Sequence, residues 1–226
     1  MTMPFYVPPE QLIKDRAEFA RKGIARGRSI VVAEYADGVL LIGENPSGSL
    51  HKLAEIYDAI AFAGVGRFNE FEMLRVAGIR YADLKGYSYG RPDVTGKGLA
   101  NAYSQTMGTI FTHEVKPYEV EVFVAEVGAD PEATRLYRIQ FDGTLRTEHQ
   151  FGAIGGQDDA LREKLADGYE PGADLRAVVR LAWDAIEAVE DREIPAGDWE
   201  AAVLDRHLGR RKFRRLGAAE IEAGRA

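Results

Sequence analysis

Histidine is the first residue type to weigh for chemistry, and the chain has four: His51, His113, His149 and His207. None stands at HxH or HExxH spacing, so each reads as a surface or loop residue, and neither a metal site nor a cofactor is expected. The chain contains no cysteine, which removes thiolate ligands, Cys-His nucleophiles and disulfides together. The glycine-bearing stretches GVGR at 64–67 and GYSYGRP at 86–92 lack the spacing of a P-loop or a dinucleotide fingerprint and read as tight turns. There is no G-x-S-x-G elbow to present a serine. Two clusters of cations remain: Arg21, Lys22, Arg26 and Arg28, and then Arg206, Arg210, Arg211, Lys212, Arg214 and Arg215. In a chain of net charge -7 they read as a solvated helix face and as cationic guards on an edge strand. Nucleic acid is not expected as a partner. An acidic partner stays open for both clusters.

These residues have to be positioned by elements that the hydropathy pattern outlines. After an apolar start, Pro8 and Pro9 open a segment in which Leu12, Ile13, Ala17, Ala20 and Ile24 recur at helical spacing up to Gly27. The runs 29–36 and 39–45 read as strands of a hairpin about Asp37-Gly38. A further strand pair follows over 53–64. Apolar residues at Phe71, Leu74 and Ile79 mark one helix. Leu99, Ala102, Tyr103, Met107, Ile110 and Phe111 mark another. Strands are expected at 118–127, 136–141 and 145–149, helices at 158–166 and from Leu175 to Val189, and closing strands at 199–205 and 212–216. The order α, ββββ, αα, βββ, αα, ββ is not a βαβ rhythm, and it predicts an α+β fold, a four-layer αββα sandwich.

With 226 residues, 46% of them hydrophobic, one core and a single domain over 1–226 are expected, with a tail at 217–226. MTMPFYVPPEQ lacks the basic flank and apolar core of a signal peptide, and no run approaches the length of a membrane span. No membrane partner is expected, and a cytoplasmic location fits.

The stretch KGIARGRSIVVAEYADGVLLIGENPSGSLHKLAEIYDAIAFAGVGRFNE, followed by GLANAYSQTMGTIF, KPYEVEVFVAEVG and LYRIQFDG, resembles the α subunits of actinobacterial 20S proteasomes, from PFYVPPEQ to KFRRL. The resemblance implies the N-terminal nucleophile hydrolase fold and seven-membered α rings capping seven-membered β rings in a 28-subunit particle. Its implied partners are the proteasome β subunit, other α subunits, an AAA+ proteasomal ATPase ring and protein substrates tagged with a small modifier. No catalytic residue is expected. Proteasomal catalysis uses a threonine that opens the first strand, its free amine acting as base. Aligned on Asp37-Gly38, that position falls at Arg28, beside Ser29 and behind a helix. Glu44 and Lys52 fall at the acidic and lysine positions of the β site.

Further roles come from the resemblance residue by residue. Lys52 is implied to meet the C-terminal carboxylate of an activator tail in a pocket between α subunits, with Gly66 and Arg67 beside it; Arg67 stands where relatives often have Leu. Residues 1–7 (Met1, Thr2, Met3, Pro4, Phe5, Tyr6 and Val7) are implied to form the gate, with Pro8 and Pro9 as a stiff pivot before the helix at 8–27. The loop Thr112, His113, Glu114, Val115, Lys116 and Pro117 is implied to line the pore annulus, although the Tyr-Gly-Gly word of archaeal relatives is absent. Two alternatives stay open: an active self-compartmentalising peptidase of the same fold exposed by processing at Arg28 or Ser29, and a standalone binding module.

Overall fold

The computed structural model describes residues 8–225 of the chain; the proposed gate residues 1–7 lie outside the described residues. The first helix, α1 (Pro9–Ile24), starts with Pro9 at its first position, where a missing N–H costs nothing. The strands β1 (Ile30–Tyr35) and β2 (Gly38–Glu44) form the expected hairpin. Its turn, however, is Ala36-Asp37, with Gly38 already paired to Tyr35. Glycine is required at 38 because a Cβ there would sit 1.8 Å from the Leu204 carbonyl oxygen. A close approach between strands, and no left-handed turn, fixes that residue.

β3 (Leu53–Tyr57) and β4 (Ile60–Gly66) follow, then α2 (Phe68–Ser88), α3 (Gly96–His113), β5 (Val120–Glu126), β6 (Arg135–Ile139) and β7 (Leu145–Glu148). α3 is opened by Thr95, whose hydroxyl accepts the Gly98 N–H at 3.2 Å. A strand the sequence did not predict, β8 (Phe151–Ile154), follows Gln150, which turns the chain at φ 67°. α4 (Asp158–Gly168), α5 (Leu175–Glu190), β9 (Trp199–Asp205), β10 (Phe213–Arg215) and α6 (Ala218–Arg225) complete the chain.

The strands make two five-stranded antiparallel sheets, ordered β10-β9-β2-β1-β8 and β3-β4-β5-β6-β7. Alternation along each strand sends successive side chains to opposite faces. Val31, Ala33, Leu40 and Ile42 pack outward under α4, α5 and α6, around Trp183. Ile30, Val32, Val39 and Leu41 point inward and meet Ala61, Ala63, Val65, Phe123 and Ala125 of the second sheet. On that sheet's outer face Phe62, Val120, Val122 and Val124 lie under Phe71 and Leu74 of α2 and Leu99, Tyr103 and Met107 of α3. Three apolar interfaces between four layers are the αββα sandwich anticipated. α1 belongs to neither helix layer: its Ala20 and Ile24 plug one end of the space between the sheets. The basic strand β10 is an edge strand, and among its flanking cations Arg211 pairs with Glu55, Arg214 with Glu220 and Arg215 with Glu200.

Candidate functional site

The plugged end of the sandwich is where strand termini of both sheets converge: the starts of β1, β3, β5 and β9 and the ends of β2 and β4. Arg28 and Ser29 lead into β1 there. Ser29 is 2% exposed, and its hydroxyl packs against Gly155, at which a Cβ would fall 2.8 Å from it. Arg28 reaches over the end of β2. Its Nε lies 3.4 Å from the buried Glu44 carboxylate and its Nη1 3.9 Å from Glu190, while Arg192 donates a second, shorter contact to Glu44. The sequence reading brought Arg28 and Glu44 to one place; the structure adds Glu190 and Arg192 from the end of α5.

Lys52 enters this cluster from the second sheet. Its Nζ donates to the carbonyls of Arg28 at 3.2 Å and Glu44 at 2.9 Å, so two of the three ammonium N–H bonds are accounted for. Burial pulls its pKa down to about 8, against opposing contributions from Glu200 and Glu44, while Arg28 adds to the depression and Glu190 counters it. A lysine with this pKa is partly neutral at mildly alkaline pH, and an incoming carboxylate would hold it charged.

Gly66 and Arg67 lie on the neighbouring side of α1. Together with Gly23, Arg26, Gly27 and Glu119 they line a cavity of about 190 Å³. Gly66 has φ 111°, and a Cβ would come within 1.9 Å of the Glu119 carbonyl, so both the backbone angle and the space demand glycine. Arg67 is held by Glu119, Nε to Oε2 at 2.9 Å. Lys52 is not on this cavity's wall; it stands one residue behind it, on the Arg28 carbonyl next to Gly27. The three residues are therefore neighbours across one stretch of backbone and do not share a single cavity within this chain.

The expected loop 112–117 begins later than the sequence suggested: Thr112 and His113 are the last turn of α3, and 114–117 run on beside α1. Thr112 donates to the Gly108 carbonyl at 2.8 Å, Glu114 is the C-cap residue, and Val115 is 93% exposed at the tip. Lys116 pairs with Glu70 and, at 2.9 Å, with Glu119, so the carboxylate that holds Arg67 also anchors this loop. Arg16 of α1 donates to the Phe111 carbonyl at 2.7 Å, tying the helix to the same corner.

Sequence reasoning missed Glu200, whose partners Asn45, Lys52 and Leu53 lie far off in the chain, and Glu119, which joins nearby Lys116 to the distant Arg67. It also missed Arg138, which sits 6% exposed in its side chain between Glu121 and Asp158. Among the described residues no three His, Asp or Glu side chains gather in a metal-binding group, and no helix is long and apolar enough to cross a membrane.

A sequence model of the family described as "Proteasome subunit" matches residues 24–204. The chain belongs to the proteasome subunit family. Within it, the likeness is to α subunits over the full length: it is 57% identical to the proteasome subunit alpha of Xylanimonas cellulosilytica, covering 100% of this chain and 96% of that protein. The proteasome subunit alpha of Thermomonospora curvata is 56% identical over 98% of this chain and 97% of its own, and that of a Nocardioides species 58% identical over 98% and 89%.

Proposed function

We propose that this chain is a non-catalytic α subunit of a bacterial 20S proteasome, working in the cytoplasm as the end ring that admits substrates and receives an activator. The observation that carries this reading is the state of the nucleophile position. Arg28 sits there in mid-chain, its carbonyl engaged by Lys52 and its side chain turned onto Glu44 and Glu190. α1 fills the approach with Ala20 and Ile24. A threonine-type mechanism needs a free α-amine beside a hydroxyl, and neither is available at a peptide-bonded arginine. Lys52 and Glu44, which could serve such a site, are instead committed to backbone carbonyls and to arginines.

In this reading the β subunits cut, and residues 1–7 of seven α copies close the axial pore. The C-terminal carboxylate of an AAA+ ATPase tail docks at Lys52, Gly66 and Arg67. The third N–H of the Lys52 ammonium suits a carboxylate arriving at this spot. Residues 112–117 line the annulus through which modifier-tagged, unfolded substrates pass. The reading is tested by intact-mass measurement and a fluorogenic peptide assay on the chain alone: an uncut chain without turnover is expected, and cleavage before residue 28 or 29 with turnover would overturn it.

A further inference from the structure

The loop carrying Lys52 is held by a single carboxylate from the other sheet. Glu200, near the start of β9 and 10% exposed in its side chain, accepts four hydrogen bonds. Its Oε2 takes the backbone N–H of Lys52 at 2.9 Å and the Asn45 side-chain amide at 2.7 Å. Its Oε1 takes the N–H of Leu53 at 3.3 Å and Arg215 Nη1 at 2.6 Å, and His51 Nδ1 lies 3.3 Å away. Asn45 at the same time donates to the Leu50 carbonyl at 2.6 Å, and Arg215 to the Leu53 carbonyl at 2.7 Å. Both ends of the 45–53 loop therefore close on Glu200. A carboxylate has about four acceptor sites, so this one is fully used.

We infer that Glu200 is a positioning residue for the Lys52 ammonium: it fixes the backbone from which the side chain crosses to the Arg28 and Glu44 carbonyls, and it supplies part of the negative potential that keeps that ammonium charged. The groups facing Lys52 are Glu200 from β9, Glu44 from β2, Arg28 ahead of β1 and Glu190 from the end of α5. Of these, Glu44 is shared with Arg28 and Arg192, and Glu190 lies with the same two arginines. Glu200 is the one carboxylate here that bonds directly to the lysine's own backbone. Its removal acts on position and charge together. A residue that only filled space would move neither the lysine's titration nor the exchange of two particular amides.

The inference rests on the docking role for Lys52, and two separate readouts keep them apart. The first, on the full-length chain assembled with its β subunit, is the Lys52 titration midpoint by lysine side-chain NMR, with amide exchange at residues 52 and 53. Glu200→Gln is expected to move the midpoint to lower pH and, because the amide keeps one acceptor oxygen where the carboxylate had two, to speed exchange at least about tenfold at whichever of the two amides faces its NH2. Glu200→Asp keeps the charge on a shorter arm; it should hold the midpoint near that of the unsubstituted chain while still speeding exchange, and it answers the question should the Gln variant fail to fold. The second readout is binding of a short peptide with a free C-terminal carboxylate, against its amidated twin. If the midpoint falls from about 8 to about 7, binding to the Gln variant weakens about fivefold at pH 8 and is unchanged at pH 6. An unmoved midpoint and unmoved amide exchange in the variants would overturn the inference. A moved midpoint with no change in peptide binding would overturn the docking role and leave the positioning of Lys52 standing.

Discussion

If an activator tail is held by the Lys52 ammonium, its affinity must follow the titration of that lysine. Burial brings the pKa of Lys52 down to about 8, so pH alone can switch its charge. A tail carboxylate stays ionised from pH 6 upward, so Lys52 alone changes charge. Roughly nine-tenths of Lys52 is protonated at pH 7 and roughly one-tenth at pH 9, so the apparent Kd should weaken about tenfold between them, near 1.4 kcal/mol. The sign is set by the lowered pKa: the charged, binding-competent form prevails below 8, and docking is lost as pH rises through 8 towards the midpoint of the bound state. Lys52→Ala should cost about 2–5 kcal/mol of docking, roughly thirtyfold or more, since a buried charge pair is lost. Lys52→Arg should flatten the profile, because guanidinium stays charged throughout. Fluorescence anisotropy of a labelled tail peptide on the assembled particle, from pH 6 to 9.5, reads all of these. A flat profile for the unsubstituted chain, or unchanged affinity for Lys52→Ala, refutes the reasoning.

Three further outcomes follow from the geometry. Arg138→Met strands Glu121, 3% exposed, with a charge that burial already disfavours, and should cost about 3–5 kcal/mol in denaturant unfolding. Gly66→Ala forces a Cβ into the Glu119 carbonyl at φ 111° and should cost about 3 kcal/mol or more, visible as a lowered Tm. Arg28→Thr places the proteasomal nucleophile's residue type at its position without a free amine. No peptide turnover should appear in a fluorogenic assay, and any that does would mean that position alone makes the site.

Much of the fold was legible because apolar periodicity is a local property. The outward set of β5 could be read directly from Val120, Val122 and Val124, and α1 from the spacing of Leu12, Ile13, Ala17, Ala20 and Ile24. The Asp37-Gly38 hairpin was found for a partly mistaken reason. Gly38 is demanded by the nearness of β9, a contact 166 residues away in the chain. β8 escaped because Phe151–Ile154 is short, holds a glycine and lies beside a Gly-Gly turn; its strand character comes from pairing with Ile30–Ala33. α2 ran longer than its apolar spacing suggested and takes in Gly86–Ser88, which the sequence reading had placed in a turn; at Gly78 and Gly86 a Cβ would meet the hydroxyl ends of Tyr103 and Tyr57. At the candidate site, resemblance found the residue numbers of Lys52, Gly66 and Arg67. That Lys52 turns inward onto two carbonyls, and that Glu200 and Glu119 hold the surrounding loops, depends on contacts between distant segments. No local pattern encodes those contacts.

Whether this chain is a wall and not a cutter is decided by co-expression with a proteasome β subunit, imaging of the product and a peptidase assay. A four-ring barrel with this chain, unprocessed, in both outer rings is expected, with peptide turnover that vanishes when the β subunit's threonine is replaced. A lone monomer, or turnover that survives that replacement and tracks cleavage of this chain near Arg28, would contradict it.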